Sequence, residues 1–247
     1  MSRKKLILII AVFTIIVALI STSIPRKPER KTELIPSEKV SPPEILSHTS
    51  YIDHLGYFTV VGEVKNNLQT NIARVAVTAI FYDDQGKVIN LTEFGIEAEE
   101  YREHGVSSMS KYTDIGILRP GQKSPFKLST YPNKIAPASY ELTLTYEETG
   151  QEPFEGLVIL SHTASVDEEG YHRIVGEVQN NGVRKAYYVR VVCTYHDSEG
   201  KVVGSSFAFT KPDRINVGEK APFELSSHPH KIRPAYYELQ VVAEYSL

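Results

Sequence analysis

A single cysteine, Cys193, stands in the 247 residues, and there is no tryptophan. One cysteine cannot build an intramolecular disulfide framework, so stability must come from apolar cores. Cys193 itself lies in an apolar strand pattern and reads as a buried, inert thiol. Basic residues are not in excess either: 27 Lys and Arg stand against 30 Asp and Glu, a formal net charge of −3. With no basic face, nucleic acid is excluded as a partner. No glycine-rich phosphate loop, nucleophile elbow or zinc-binding helix motif occurs. The chain therefore reads as a non-enzyme, with no cofactor and no small-molecule substrate.

What the chain does have is a duplication. Val61-Gly62-Glu63-Val64-Lys65-Asn66-Asn67 returns as Val175-Gly176-Glu177-Val178-Gln179-Asn180-Asn181. Laying 45–90 over 159–204 without gaps matches about twenty positions in forty-six, including Ile-Leu-Ser-His-Thr at both starts. A second block pairs Gly121, Lys123, Pro125 and Phe126 with Gly218, Lys220, Pro222 and Phe223, and ends on Tyr140-Glu141-Leu142 against Tyr237-Glu238-Leu239. The first copy is longer, and its extra residues all lie between Leu91 and Arg119. A unit of about a hundred residues is too long for a solenoid repeat and the right size for a domain.

Arg3, Lys4 and Lys5 precede an apolar run, Leu6–Ile20, and Ser21-Thr22-Ser23-Ile24 follows it. Residues 1–24 form a membrane anchor through Leu6–Ile24 or, alternatively, a cleaved export signal. Positive charges flank both ends, so orientation is not clean, but the extreme N-terminal position favours the folded part outside. Residues 25–43, rich in Pro, Lys, Glu and Ser, read as an extended stalk.

Each copy consists of short β-branched and aromatic runs separated by turn signals, the all-β signature. In the first copy, 72–82 places Val75, Val77, Ala79 and Phe81 on one face. Asp83-Asp84-Gln85-Gly86 is a hairpin turn with 87–91 as its return strand. Two tandem immunoglobulin-like β-sandwiches are expected, over 44–147 (with an insertion at 92–118) and 158–247, after the N-terminal helix. Residues 148–157 read as a turn-rich linker that permits inter-domain motion.

The Gly-Glu-Val-x-Asn-Asn element, the aromatic-Tyr-Asp-x-x-Gly-Lys turn and the Pro-Gly-x-x-x-Pro-Phe block together resemble the FxLYD domain family. The resemblance covers both copies, roughly 45–147 and 159–245. The naming motif is imperfect: Ala79-Ile80-Phe81-Tyr82-Asp83 stands in the first copy and Cys193-Thr194-Tyr195-His196-Asp197 in the second. The resemblance implies an immunoglobulin-like sandwich outside the cytoplasm and brings no catalytic residues with it.

Few residues suggest a site. His48 and His162 read as packing residues of the opening strands, and His228-Pro229-His230 lacks a third metal ligand at recognisable spacing. Glu63 and Glu177 are repeated carboxylates in different domains. They read as solvent-facing strand residues with cross-strand lysine partners. Asp83-Asp84-x-Gly86 reads as turn chemistry rather than a calcium loop. Asn90-Leu91-Thr92 matches the N-glycosylation acceptor pattern. The long insertion, with Glu97, Glu100, Tyr101 and Tyr112, is the candidate partner-binding loop. The expected protein is a cell-membrane, outward-facing, non-catalytic binding or adhesion module for a protein or envelope polymer. A structural spacer or accessory subunit of an envelope complex is the alternative.

Overall fold

The computed structural model describes residues 41–89, 108–129, 137–228 and 231–244. All regular structure among them is strand: β1 (Glu44–Ile52), β2 (Phe58–Lys65), β3 (Asn71–Tyr82), β4 (Ser108–Tyr112), β5 (Ile117–Leu118), β6 (Lys123–Ser129), β7 (Ser139–Thr149), β8 (Leu157–Val166), β9 (His172–Asn180), β10 (Tyr187–His196), β11 (Val202–Phe209), β12 (Lys220–Ser227) and β13 (Tyr236–Glu244). No helix of the described residues is long and apolar enough to cross a membrane, and the expected anchor, Leu6–Ile24, lies outside them.

The strands form two sandwich-like pairs of antiparallel sheets. In the first, β1-β2-β6 faces the sheet of β4, β3, β5 and β7, where β3 pairs with all of the other three. In the second, β8-β9-β12 faces β11-β10-β13. Each pair closes on its own apolar core. Val60, Val64, Val77, Phe81, Phe126 and Leu128 are among the buried residues of the first. Ile174, Val178, Val191, Tyr195, Phe223 and Leu225 are among those of the second. Cys193 belongs to this second core, where burial pushes its thiol up to about 12 despite a hydrogen bond with Tyr195, so it stays protonated and unreactive at neutral pH.

The duplicated motif is explained by packing. A Cβ on Gly62 would lie 2.5 Å from Cζ of Phe126 and 2.6 Å from the Ser47 carbonyl oxygen, so only glycine lets that ring settle over β2. Gly176 meets Phe223 and the Ser161 carbonyl in the same way. Asn66 is fully buried. Its Nδ2 donates to the Thr70 and Leu118 carbonyls, and its Oδ1 accepts from the Leu68 amide. Asn180 repeats this with the Arg184 and Ile215 carbonyls and the Gly182 amide. The Gly121 and Gly218 amides donate to the carbonyls of Asn66 and Asn180. The separated sequence blocks thus meet as one clamp in each copy.

Turn chemistry repeats too. Asp53, Asp83, Asp167 and Asp197 each accept two downstream backbone amides, which accounts for Asp83 without a bound cation. A bulge interrupts β3 between Ala73 and Ala76, and β10 between Tyr187 and Arg190. Arg74 (φ 50°) and Tyr188 (φ 49°) take the left-handed conformation there. The extra residue shifts the side-chain parity, so Ile72 and Val75, three apart, both point into the core, as do Ala186 and Val189.

Two expectations change. Over its described residues, 87–89, the return strand expected at 87–91 is reduced to a bridge between Tyr82 and Val88; residues 90–107 are not described. The expected linker 148–157 shortens to 150–156, because β7 runs on to Thr149. This segment is tied to both halves: Asn71 donates to the Gln151 carbonyl, and the Asn181 amide donates to the Gly156 carbonyl. Val40–Leu247 accordingly forms one compact unit rather than two loosely joined domains.

Gly62→Ala is expected to lower stability by about 1–3 kcal/mol through displacement of Phe126, an overpacking cost. Phe126→Leu in the same chain should recover part of the loss. Chemical denaturation of the two variants measures both effects.

Candidate functional site at the junction of the two sandwiches

The outer face of β1-β2-β6 is the place where the copies meet. Along β2, Val61 and Glu63 alternate with the core residues Val60 and Val64 and so point away from the first core. Both are nonetheless buried, because the outer face of β11-β10-β13 covers them. Val192 and Val242, on that covering face, join the first core's apolar cluster. Polar contacts frame the apolar centre. Gln122 Nε2 donates to Gln240 Oε1 at 3.1 Å, and Gln240 Nε2 donates to the Lys123 carbonyl at 3.0 Å. The Val202 amide donates to Ser47 Oγ at 3.2 Å.

The charged centre of the junction is Lys123. Its ammonium lies 3.2 Å from Glu63 Oε2 and 3.4 Å from Glu238 Oε2. Partial burial pulls the Lys123 pKa down, but the two carboxylates more than offset this and hold it above its ordinary value. Glu63 is only 3 % exposed, which corrects the expectation of a solvent-facing residue: the second sandwich desolvates it. Its lysine partner on β6 is as expected. Glu177, the repeat equivalent, pairs with Lys220 at 3.3 Å, but its side chain is 42 % exposed because nothing among the described residues covers the β8-β9-β12 face. Glu63 therefore meets Glu238 rather than Glu177.

Beside this pair stands His196, itself buried and stacked on Tyr236 with ring centroids 4.8 Å apart and an interplanar angle of 10°. Asp114, between β4 and β5, reaches the second sandwich at Arg190 and Ser205. Burial raises its pKa above the ordinary aspartate value, against the opposing influence of Lys111, Arg190, a Ser205 hydrogen bond and Lys127. At one end the junction opens into a cleft of about 670 Å³ whose lining includes Arg119, Phe154, Arg184, Arg190 and Val242. At the other, a cleft of about 360 Å³ is lined in part by Tyr51, His54, Lys127, Ser205 and His228.

The residues singled out in the sequence fall mostly elsewhere. Asn90, Glu97, Glu100 and Tyr101 lie outside the described residues. The expected insertion 92–118 is not all loop: β4 and β5 lie within it, both paired with β3, and Ile115 and Leu118 belong to the first core, so Tyr112 ends a sheet strand, in register with Ala76. His48 accepts or donates a 2.8 Å hydrogen bond with Tyr140 Oη, and its ring packs edge-on against Tyr140, as His162 does against Tyr237. His228 packs against His54 and Tyr171, while Pro229 and His230 lie outside the described residues. His196, Glu238 and Asp114 escaped sequence reasoning because a junction between copies brings them together. The one available signal was asymmetry, since His196 stands where the first copy has Tyr82.

Compared with protein-family models and with curated proteins, the chain matches none.

Two expected outcomes test this geometry. Lys123→Met leaves Glu63 buried without its cation and should cost about 2–4 kcal/mol, whereas Lys220→Met removes an exposed pair and should cost at most about 1 kcal/mol. Urea unfolding of the two variants makes the comparison. The second concerns Asp114. Its raised folded pKa means that its contribution to stability is complete below the unfolded pKa and is lost as pH rises through the folded one. Asp114→Asn should therefore raise the thermal midpoint at pH 8, and the gain should shrink towards pH 4. Calorimetry across that range measures it.

Proposed function

We propose that this protein is a non-catalytic binding or adhesion module. It consists of two tandem FxLYD-like, immunoglobulin-like sandwiches (44–147 and 158–247), exported and held at the cell membrane by Leu6–Ile24 on the stalk 25–43. The observation that carries the binding reading is the β8-β9-β12 face, which none of the described residues covers. The same face in the first copy is a protein-docking surface, occupied by β11-β10-β13. In the second copy the equivalent strands expose Glu177 and Lys220 as an ion pair, beside Arg173 paired with Glu224 at 2.7 Å. A partner sheet carrying a carboxylate would meet Lys220 as Glu238 meets Lys123. The insertion bearing Glu97, Glu100, Tyr101 and Tyr112 adds a second contact surface, and Asn90 a glycosylation acceptor.

A second reading, a spacer in an envelope complex, draws support from the fused junction: two sandwiches joined through a buried face hold a fixed separation better than two on a free linker. A photocrosslinking residue at Ser161 of β8 separates the two. In intact cells it should capture a protein whose yield falls at least tenfold on Lys220→Glu or on deletion of 92–106, which spares β4 and β5. Capture indifferent to both changes, but lost with residues 1–24, favours the spacer. A tag after Leu247 should be shaved by protease from intact cells and should pellet with membranes. A protected tag defeats the cell-surface reading.

A further inference from the structure

Glu63, His196 and Glu238 each bring one ligand atom to within 4.8 Å of the other two. Two polar atoms in this cluster are left over: Oε1 of Glu63 and Nδ1 of His196 are buried and have no hydrogen-bond partner. A buried carboxylate oxygen and a buried imidazole nitrogen left unpaired on neighbouring residues are costly, and in folded chains such groups are normally satisfied. Both are supplied by residues at least nine-tenths buried, Glu63 at 3 % exposure and His196 at 2 %. The Tyr236 ring stacked on His196 fixes the imidazole plane, as a supporting group does for a metal ligand.

We propose that these three side chains form a binding site for a divalent first-row transition ion of the zinc type, bridging the two sandwiches. Glu63 comes from β2 of the first copy, and His196 and Glu238 come from β10 and β13 of the second. An imidazole with two carboxylates selects such an ion over calcium or magnesium, which take all-oxygen sets. Three protein ligands leave a fourth tetrahedral position for water. Ligand atoms about 2 Å from the ion sit roughly 3.3 Å apart, so the cluster closes by about an ångström on binding. Glu238, the exposed member, has room to supply that movement.

Lys123 marks the position. Its ammonium bridges Glu63 and Glu238, where a cation is electrostatically favoured, and acts as the stand-in. With its side chain 35 % exposed, it has a path to solvent when the ion enters. The first copy offers no second site of this kind, because Tyr82 stands at the position of His196 and donates its hydroxyl to Glu141, the counterpart of Glu238.

The test is zinc titration of the purified full-length chain by calorimetry, with thermal unfolding beside it. One ion per chain is expected, and at a hundredfold excess over Kd the midpoint should rise by about 5–10 °C. Glu238→Gln, a surface change that leaves the fold intact, should weaken zinc at least tenfold, and His196→Asn should do the same. The Lys123→Met chain, which lacks the competing ammonium, should regain its lost midpoint on adding zinc. His54→Ala with His228→Ala, which removes the other close imidazole pair, should leave binding unchanged. No zinc binding by the native chain, binding indifferent to Glu238→Gln, no recovery by Lys123→Met, or binding lost with His54 and His228 would each overturn the proposal.

Discussion

The burial of one sheet face by another governs this molecule. When β11-β10-β13 of the second copy settles on β1-β2-β6 of the first, Val61 and Glu63 leave water together. The apolar gain and the ionic cost arise in the same square of surface. Val192 and Val242 extend the first core across the joint, while Glu63 is tolerated only because Lys123 reaches it. Everything particular to this chain follows from that contact. It produces the raised Asp114 pKa, the two clefts, the tethered linker and the convergence of His196 with two carboxylates.

The two copies form an internal control. Val-Gly-Glu-Val with a downstream lysine occurs in both, and the local geometry agrees closely: lysine to glutamate is 3.2 Å in one and 3.3 Å in the other. Local structure is therefore common to both, and the physical character of the pair is not. Beneath the second sandwich the pair is a desolvated ion pair whose disruption is costly. On the open face it is a screened surface contact of little consequence. A pairwise distance carries no energy until its surroundings are known.

Most of the local structure was legible in the sequence, because it rests on contacts within a copy or on backbone rules. The strand alternation of Val75 to Phe81, the four aspartate turns, the glycine under Phe126 and the division into two repeats all leave marks in the residue order. The bulge at Arg74 left a fainter one, the three-residue spacing of Ile72 and Val75, which strict alternation does not accommodate. The candidate site left almost none. Glu63 looks the same as Glu177 in its flanking residues, and no local rule says which of two identical faces will be covered. His196 and Glu238 lie 133 and 175 positions from Glu63, and only the docking of one sheet on another relates them.

That docking also raises the question of why it happens once. A face that binds its own repeat risks head-to-tail growth, since the free β8-β9-β12 face of one molecule could take the β4-β3-β7 face of the next. The covering face answers this through composition. Where β10 and β13 present Val192, Val242, Gln240 and His196, the first copy has Thr78, Thr145, Thr143 and Tyr82 at the equivalent positions. The two valines that reach into the neighbouring core become threonines, which offer less apolar surface to such a contact. Tyr82 spends its hydroxyl on Glu141 rather than on a neighbour. The first copy is well made to be covered and less well made to cover. The β8-β9-β12 face of the second copy, with Glu177 and Lys220 half exposed, stays open among the described residues.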